Sequence, residues 1–227
     1  MRGRADATSE DREVAIAVPG DDAIYGDLTI PHGAGGVVLF AHGSGSSRHS
    51  PRNRAVADAL HQRGLATMRG DLLTSAEERA DVVDGRHRFD IDLLAGRLEL
   101  AERWLAQNAA TTSLPLGLFG ASTGAAAALV AAARLGGRIA AVVSRGGRPD
   151  LAGDALPQVT APTLLIVGGL DEYVLQLNRD ALRLMACERE LKVVPGAGHL
   201  FEEPGALNEV SRLAGDWFTA RFAEADR

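Results

Sequence analysis

Residues 114–124 read Leu114-Pro115-Leu116-Gly117-Leu118-Phe119-Gly120-Ala121-Ser122-Thr123-Gly124, and an alanine-rich stretch runs on from there to Leu135. The apolar run at 114–119 has the composition of a strand buried on both faces, and the stretch 124–135 that of a helix. Between them lies G-x-S-x-G, a pattern that carries chemistry only in this setting, directly after a strand and directly before a helix. The logic is steric. A serine on so tight a turn has strained backbone angles, flanking glycines let strand and helix approach closely, and the hydroxyl projects above the sheet. The helix that follows adds a positive N-terminal dipole, which favours negative charge at that point. Taken alone the pattern also describes a glycine turn that packs a helix on a strand. A phosphate-cradling loop is excluded, because neither the Lys-Ser/Thr ending nor G-x-G-x-x-G spacing is present.

Working outward, residues 13–18 and 24–30 read as two short strands. Pro19-Gly20-Asp21-Asp22 joins them in an antiparallel hairpin. Residues 37–41 form another buried strand, and a helix is expected from Pro51, capped by Ser50 and ending near Gly64. A brief strand at 66–68 precedes an amphipathic helix at 90–108, with Ile91, Leu94, Leu98, Ala101 and Leu105 on one face. Three further strands fall at 139–144, 163–167 and 191–194, with helices at 175–186 and 206–222. Strands alternating with helices predict a mostly parallel sheet covered on both faces. Residues 1–11 read as a polar lead-in and 12–227 as one domain. The connection from Ser144 to Thr163 is too short for a lid domain, which predicts an open site. Residues 71–88 are the longest irregular stretch; they either lie over the site or form a solvated charged loop.

A serine hydroxyl needs a base. His199, in Pro195-Gly196-Ala197-Gly198-His199, follows the last strand on a glycine-containing loop, whereas His32, His42, His49, His61 and His87 all precede Ser122. The imidazole in turn needs an acceptor to fix its tautomer. Asp171, just past the strand at 163–167, is favoured over Glu172 and the more distant Asp150. Backbone amides must hold the developing oxyanion. Thr123 supplies one, and the small-residue loop His42-Gly43-Ser44-Gly45 the second, with Ser44 favoured over Gly43 and Gly45. Arg48 and Arg145 follow strands that end at the same edge and are candidates for binding an anionic substrate group. Arg52, Asn53 and Arg148 lie near them. Trp104 and Trp217 occupy helical core positions.

The chain has 227 residues, 46% of them hydrophobic and 4% aromatic, so a sizeable core has to rest on Ala, Leu and Val. A formal charge of −6 argues against a nucleic-acid partner. Cys187 is the single cysteine, which rules out an intrachain disulfide and a Cys-rich metal site. The first residues carry no apolar leader, and no apolar run is long enough to span a membrane; a cytoplasmic protein is the expectation.

With these motifs in place the sequence resembles the α/β-hydrolase superfamily, and within it the dienelactone hydrolase-like group of lidless enzymes. The resemblance runs from about Glu13 to Phe222. It rests on His42-Gly43-Ser44-Gly45, the Gly120–Gly124 turn, residues 168–174 and Gly196-Ala197-Gly198-His199. It implies a three-layer α/β/α fold with an eight-stranded sheet whose second strand is antiparallel. It also implies no cofactor, no metal, and hydrolysis of ester-like bonds of a small molecule through an acyl-enzyme. One departure matters: true dienelactone hydrolases use a cysteine nucleophile, whereas here the turn carries Ser122, so dienelactone is not carried over as substrate. The same residues also suit acyl transfer to an alcohol or thiol. A hydrolase-like domain that only binds a ligand is the alternative from another class, but it would need a broken triad member, and none is broken.

Overall fold

A computed structural model describes residues 9–20 and 22–225 of the chain. Most of the lead-in expected at 1–11 lies outside these residues. Its last two positions do not belong to a lead-in, because the first strand, β1 (Glu10–Val18), already includes them. That strand alternates, with Val14, Ile16 and Val18 facing inward, and it pairs antiparallel with β2 (Asp22–Ile30) from Glu10↔Ile30 to Val18↔Asp22. The remaining strands are β3 (Val37–Ala41), β4 (Ala66–Gly70), β5 (Leu116–Ala121), β6 (Ile139–Arg145), β7 (Thr163–Gly168) and β8 (Arg189–Val194). They form one eight-stranded sheet in the order β1-β2-β4-β3-β5-β6-β7-β8. Only β2 runs against the rest, antiparallel to both β1 and β4, while the pairs from β4 to β8 are parallel.

Every position of β3, β5 and β7 is buried, as required of strands covered on both sides. The helices are α1 (Pro51–His61), α2 (Ser75–Asp84), α3 (Ile91–Gln107), α4 (Thr123–Leu135), α5 (Glu172–Leu184) and α6 (Ala206–Ala225). One layer of the core packs the sheet against α3 and α4, through Leu39, Met68, Leu98, Leu118 and Leu129. The other packs it against α1 and α6, where Phe40 and Phe119 touch with ring centroids 4.8 Å apart beneath Phe218. The alternation of strand side chains between the two faces produces this division. No helix among the described residues is long and apolar enough to cross a membrane.

α1 begins as expected, with Ser50 Oγ accepting from the Asn53 amide and Pro51 in the first turn. The stretch at 71–88 is a correction: most of it is α2. Thr74 Oγ1 accepts from the Glu77 amide, and the Glu77 carboxylate accepts from the Thr74 amide. This reciprocal cap is written in the sequence as Thr-x-x-Glu, a start signal that the density of charge obscured. Gly85 closes the helix with a left-handed φ of 68°. Between β6 and β7 the chain makes only short 3₁₀ turns over Pro149–Gln158, with no lid.

Candidate active site

Ser122 sits between β5 and α4 with φ 52° and ψ −122°, a conformation non-glycine residues rarely adopt and one that costs of order 1–3 kcal/mol. The surroundings impose it. Its N–H donates to the Arg145 carbonyl at 3.2 Å, and its carbonyl accepts from the Ala125 and Arg148 amides at 3.1 Å each. The flanking glycines are demanded by close approach. A Cβ on Gly120 would lie 2.4 Å from Ala125 Cα, and one on Gly124 2.4 Å from the carbonyl oxygens of Ala41 and His42.

At the same edge, the loops after β7 and β8 are stitched together: the Gly169 amide donates to the Val194 carbonyl and the Leu170 amide to the Ala197 carbonyl, both at 2.9 Å. This brings His199 Nδ1 to 2.6 Å from Asp171 Oδ2. With the carboxylate as acceptor, Nδ1 carries the proton and Nε2 keeps its lone pair. Glu203 Oε1 accepts from the Gly198 amide at 2.9 Å and so braces the His199 loop from behind. The Ser122 side is brought close through β6: a Cβ on Gly146 would lie 3.6 Å from His199 Cε1. No hydrogen bond joins Ser122 Oγ to His199 in this state, whereas the His199–Asp171 contact is made. Of the rival acids, Asp150 is taken up by a two-pronged pair with Arg148 at 2.7 and 2.8 Å, and Glu172 opens α5.

The small-residue loop after β3 passes directly over the turn. Gly43 is so near that a Cβ there would stand 3.0 Å from Ser122 Cβ. The Ser44 amide, expected as a free oxyanion donor, instead donates to Thr123 Oγ1 at 2.8 Å. The Thr123 amide, the first of α4, has no acceptor within the helix. His42, 9% exposed, directs Nδ1 to the Gly43 carbonyl at 3.0 Å. Burial pushes its pKa below the ordinary histidine value, which keeps the ring neutral.

Arg48 does not act as expected. Its guanidinium lies among Glu13 (2.6 Å), Asp27 (3.7 Å) and Asp71 (3.5 Å) and over the Tyr25 ring, so its charge is already matched and ties the β1–β2 hairpin to the strand edge. Arg145 is the reverse, buried and without an acid partner among the described residues. A cavity of about 220 Å³ opens beside the turn. Gly43, Ser44 and Thr123 form one wall and Leu72, Leu73 and Val82 another. The segment at 71–88 therefore faces Thr123 and the loop after β3 across this cavity. A larger hollow of about 680 Å³ runs along β1, β2 and α1; neither hollow is lined by Ser122, Asp171 or His199, but the smaller one reaches Thr123 and the loop after β3. Asp81, Asp84 and His87 bring ligand atoms within 4.8 Å of one another, but Asp81 is spent on Arg88.

The sequence profile of the dienelactone hydrolase family matches residues 28–218. A crystal structure of dienelactone hydrolase from Anabaena variabilis is 56% identical, covers 93% of this chain and 98% of its own, and superposes with a TM-score of 0.90. Est1E from Butyrivibrio proteoclasticus, at 16% identity, shares the fold with a TM-score of 0.78 over 93% of this chain and 99% of its own. Two curated Mycobacterium tuberculosis proteins, provisionally named phosphoribosyl transferases, are 56% identical over 214 residues. That match takes in 94% of this chain and 47% of theirs, so the chain spans about half the length of these relatives.

Proposed function

The chain belongs to the dienelactone hydrolase family, a family of hydrolases, and from that premise we propose that it cleaves ester-like bonds of small molecules with Ser122 as nucleophile, His199 as base and Asp171 as orienting acid. One observation carries the reading. A serine held at φ 52° on a strand-to-helix turn shares its edge of the sheet with an imidazole already hydrogen-bonded to a carboxylate.

In this reading Ser122 Oγ closes on His199 Nε2 as substrate enters, and the base takes its proton during attack on the carbonyl. Asp171 steadies the imidazolium that forms. The Thr123 amide receives the oxyanion, and the Ser44 amide, positioned by its hydrogen bond to Thr123 Oγ1, is shared with it. His199 returns the proton to the leaving group, and water repeats the cycle on the acyl-enzyme. The cavity of about 220 Å³ suits a short acyl or leaving group. The name borne by the mycobacterial relatives points to phosphoribosyl transfer, but they are about twice as long. What supports hydrolysis instead is Ser122 on its strained turn beside the hydrogen-bonded His199–Asp171 pair.

Ser122→Ala is expected to lower kcat on a small activated ester by at least about a thousandfold. A fluorophosphonate probe should label the native chain once, at Ser122, and leave the variant unlabelled. Native turnover by the folded variant would discard the reading.

A further inference from the structure

Arg145 is the anomaly of the site. Only 8% of it is exposed, its Nη1 is closed to solvent with no acceptor, and no carboxylate lies within ion-pair distance among the described residues. Other inward arginines are matched: Arg48 by three acids, Arg97 by Glu77 and Arg148 by Asp150. A guanidinium buried without an anion carries a heavy desolvation penalty, which a counter-ion removes. Burial pushes its pKa down to about 10, and the nearby charge of Arg52 acts in the same direction, yet the group stays charged at neutral pH.

Its position ties it to the reacting centre. Arg145 pairs with Ala121 across β5–β6, and its carbonyl holds the Ser122 amide. The next residue, Gly146, abuts His199. Val143 faces the layer of α1 and α6, so strand alternation sends Arg145 to that same side. Arg52, at the second position of α1, comes from there, pairing with the exposed Glu202 at 3.1 Å while its Nε stays closed off and unpartnered. The first turn of α1 contains no acidic residue.

We propose that Arg145 and Arg52, with the first turn of α1, form a recognition site for a phosphate group carried by the substrate of the Ser122 centre. The donors select phosphate over carboxylate. Pro51 has no N–H and Ser50 already takes the amides of Asn53 and Arg54, so the first turn of α1 adds only the Arg52 amide to the unpartnered Nη1 of Arg145 and Nε of Arg52. A phosphate monoester brings about −1.5 to −2 charges at neutral pH and three acceptor oxygens for donors arriving from separate elements. The substrate is then a phosphorylated ester or thioester whose scissile carbonyl meets Ser122. The description of the substrate rests on the function proposed above, whereas the anion site itself does not.

The test uses inorganic phosphate as probe and calorimetric titration of the folded Ser122→Ala chain, so that binding is read whether or not any ester is cleaved. Phosphate is expected to bind, succinate at least tenfold more weakly. Adding Arg145→Met or Arg52→Gln should weaken phosphate at least tenfold. Affinity should also fall as the pH drops through the range in which inorganic phosphate passes from dianion to monoanion. If Arg145→Met does not fold, Arg52→Gln and the pH series decide alone. Absent phosphate binding, unchanged affinity in the arginine variants, or tighter binding of succinate would each overturn the proposal. In the native chain, the preference for a phosphorylated ester over its neutral analogue, as a ratio of kcat/KM, should drop at least thirtyfold in Arg145→Met.

Discussion

Two segments wall the candidate active site, and they are held by different forces. The turn at Ser122 is fixed by hard contact: glycines that admit no side chain, a strained φ, and strands on both sides. The segment at 71–88 is fixed by polar bonds: the Thr74–Glu77 cap, the Arg97–Glu77 bridge and the Arg88–Asp81 pair. Leu72 and Leu73 anchor its start in the core, whereas Val82 and Val83 in α2 are 81% and 87% exposed, so little apolar burial supports the helix itself. Sterics make the turn all-or-none, while capping and charge make the wall adjustable. For the nucleophile proposed at Ser122, such rigidity is what a preorganised site requires.

The largest break should come at the turn. Gly124→Ala sets a methyl group 2.4 Å from two carbonyl oxygens and is expected to cost at least about 2 kcal/mol, a drop of about 4–8 °C in Tm, together with loss of activity. A stable, active variant would show that the turn is softer than its contacts imply. Next comes Thr123→Val, which removes the hydroxyl that ties the Ser44 amide across the turn. A lost hydrogen bond of about 1 kcal/mol or slightly more should appear as a roughly tenfold fall in kcat with KM little changed, and Thr123→Ser should restore most of it. A rise in kcat would mean that the hydroxyl only obstructs the amide. In the wall, Thr74→Ala should cost about 1 kcal/mol and shift KM more than kcat, because α2 touches the cavity and not the reacting atoms.

The smallest effect is a pH dependence. The folded pKa of His42 is lowered by burial, so its neutral form contributes stability that is complete above the unfolded value of about 6.5. As pH falls through that value the unfolded chain takes up a proton that the folded chain refuses. His61 acts in the same sense. Thermal midpoints should decline from pH 7.5 to 5.5, and less steeply in His42→Gln. A flat profile would mean that His42 is not held neutral by the fold.

The amino-acid sequence determined whatever is local. Gly120 to Gly124 could be read because a strand, two small residues and a helix leave one way through the turn. The order Ser122, Asp171, His199 along a βα repeat likewise led to the loops that meet at one edge, since parallel strands end on the same side. α2 has its start written in Thr74 and Glu77, though the charge around them also fits a solvated loop. Tertiary structure alone decided what depends on partners distant along the chain. Arg48 and Arg145 have the same side chain and similar settings after a strand, yet pairing of β1, β2 and β4 surrounds the first with carboxylates, and burial at the end of β6 leaves the second with none among the described residues. The Ser44 amide was likewise claimed by a hydroxyl 79 residues away. The physical reason is common to both: steric rules act between neighbours in sequence, whereas charges and hydrogen bonds are satisfied by whatever the fold brings near.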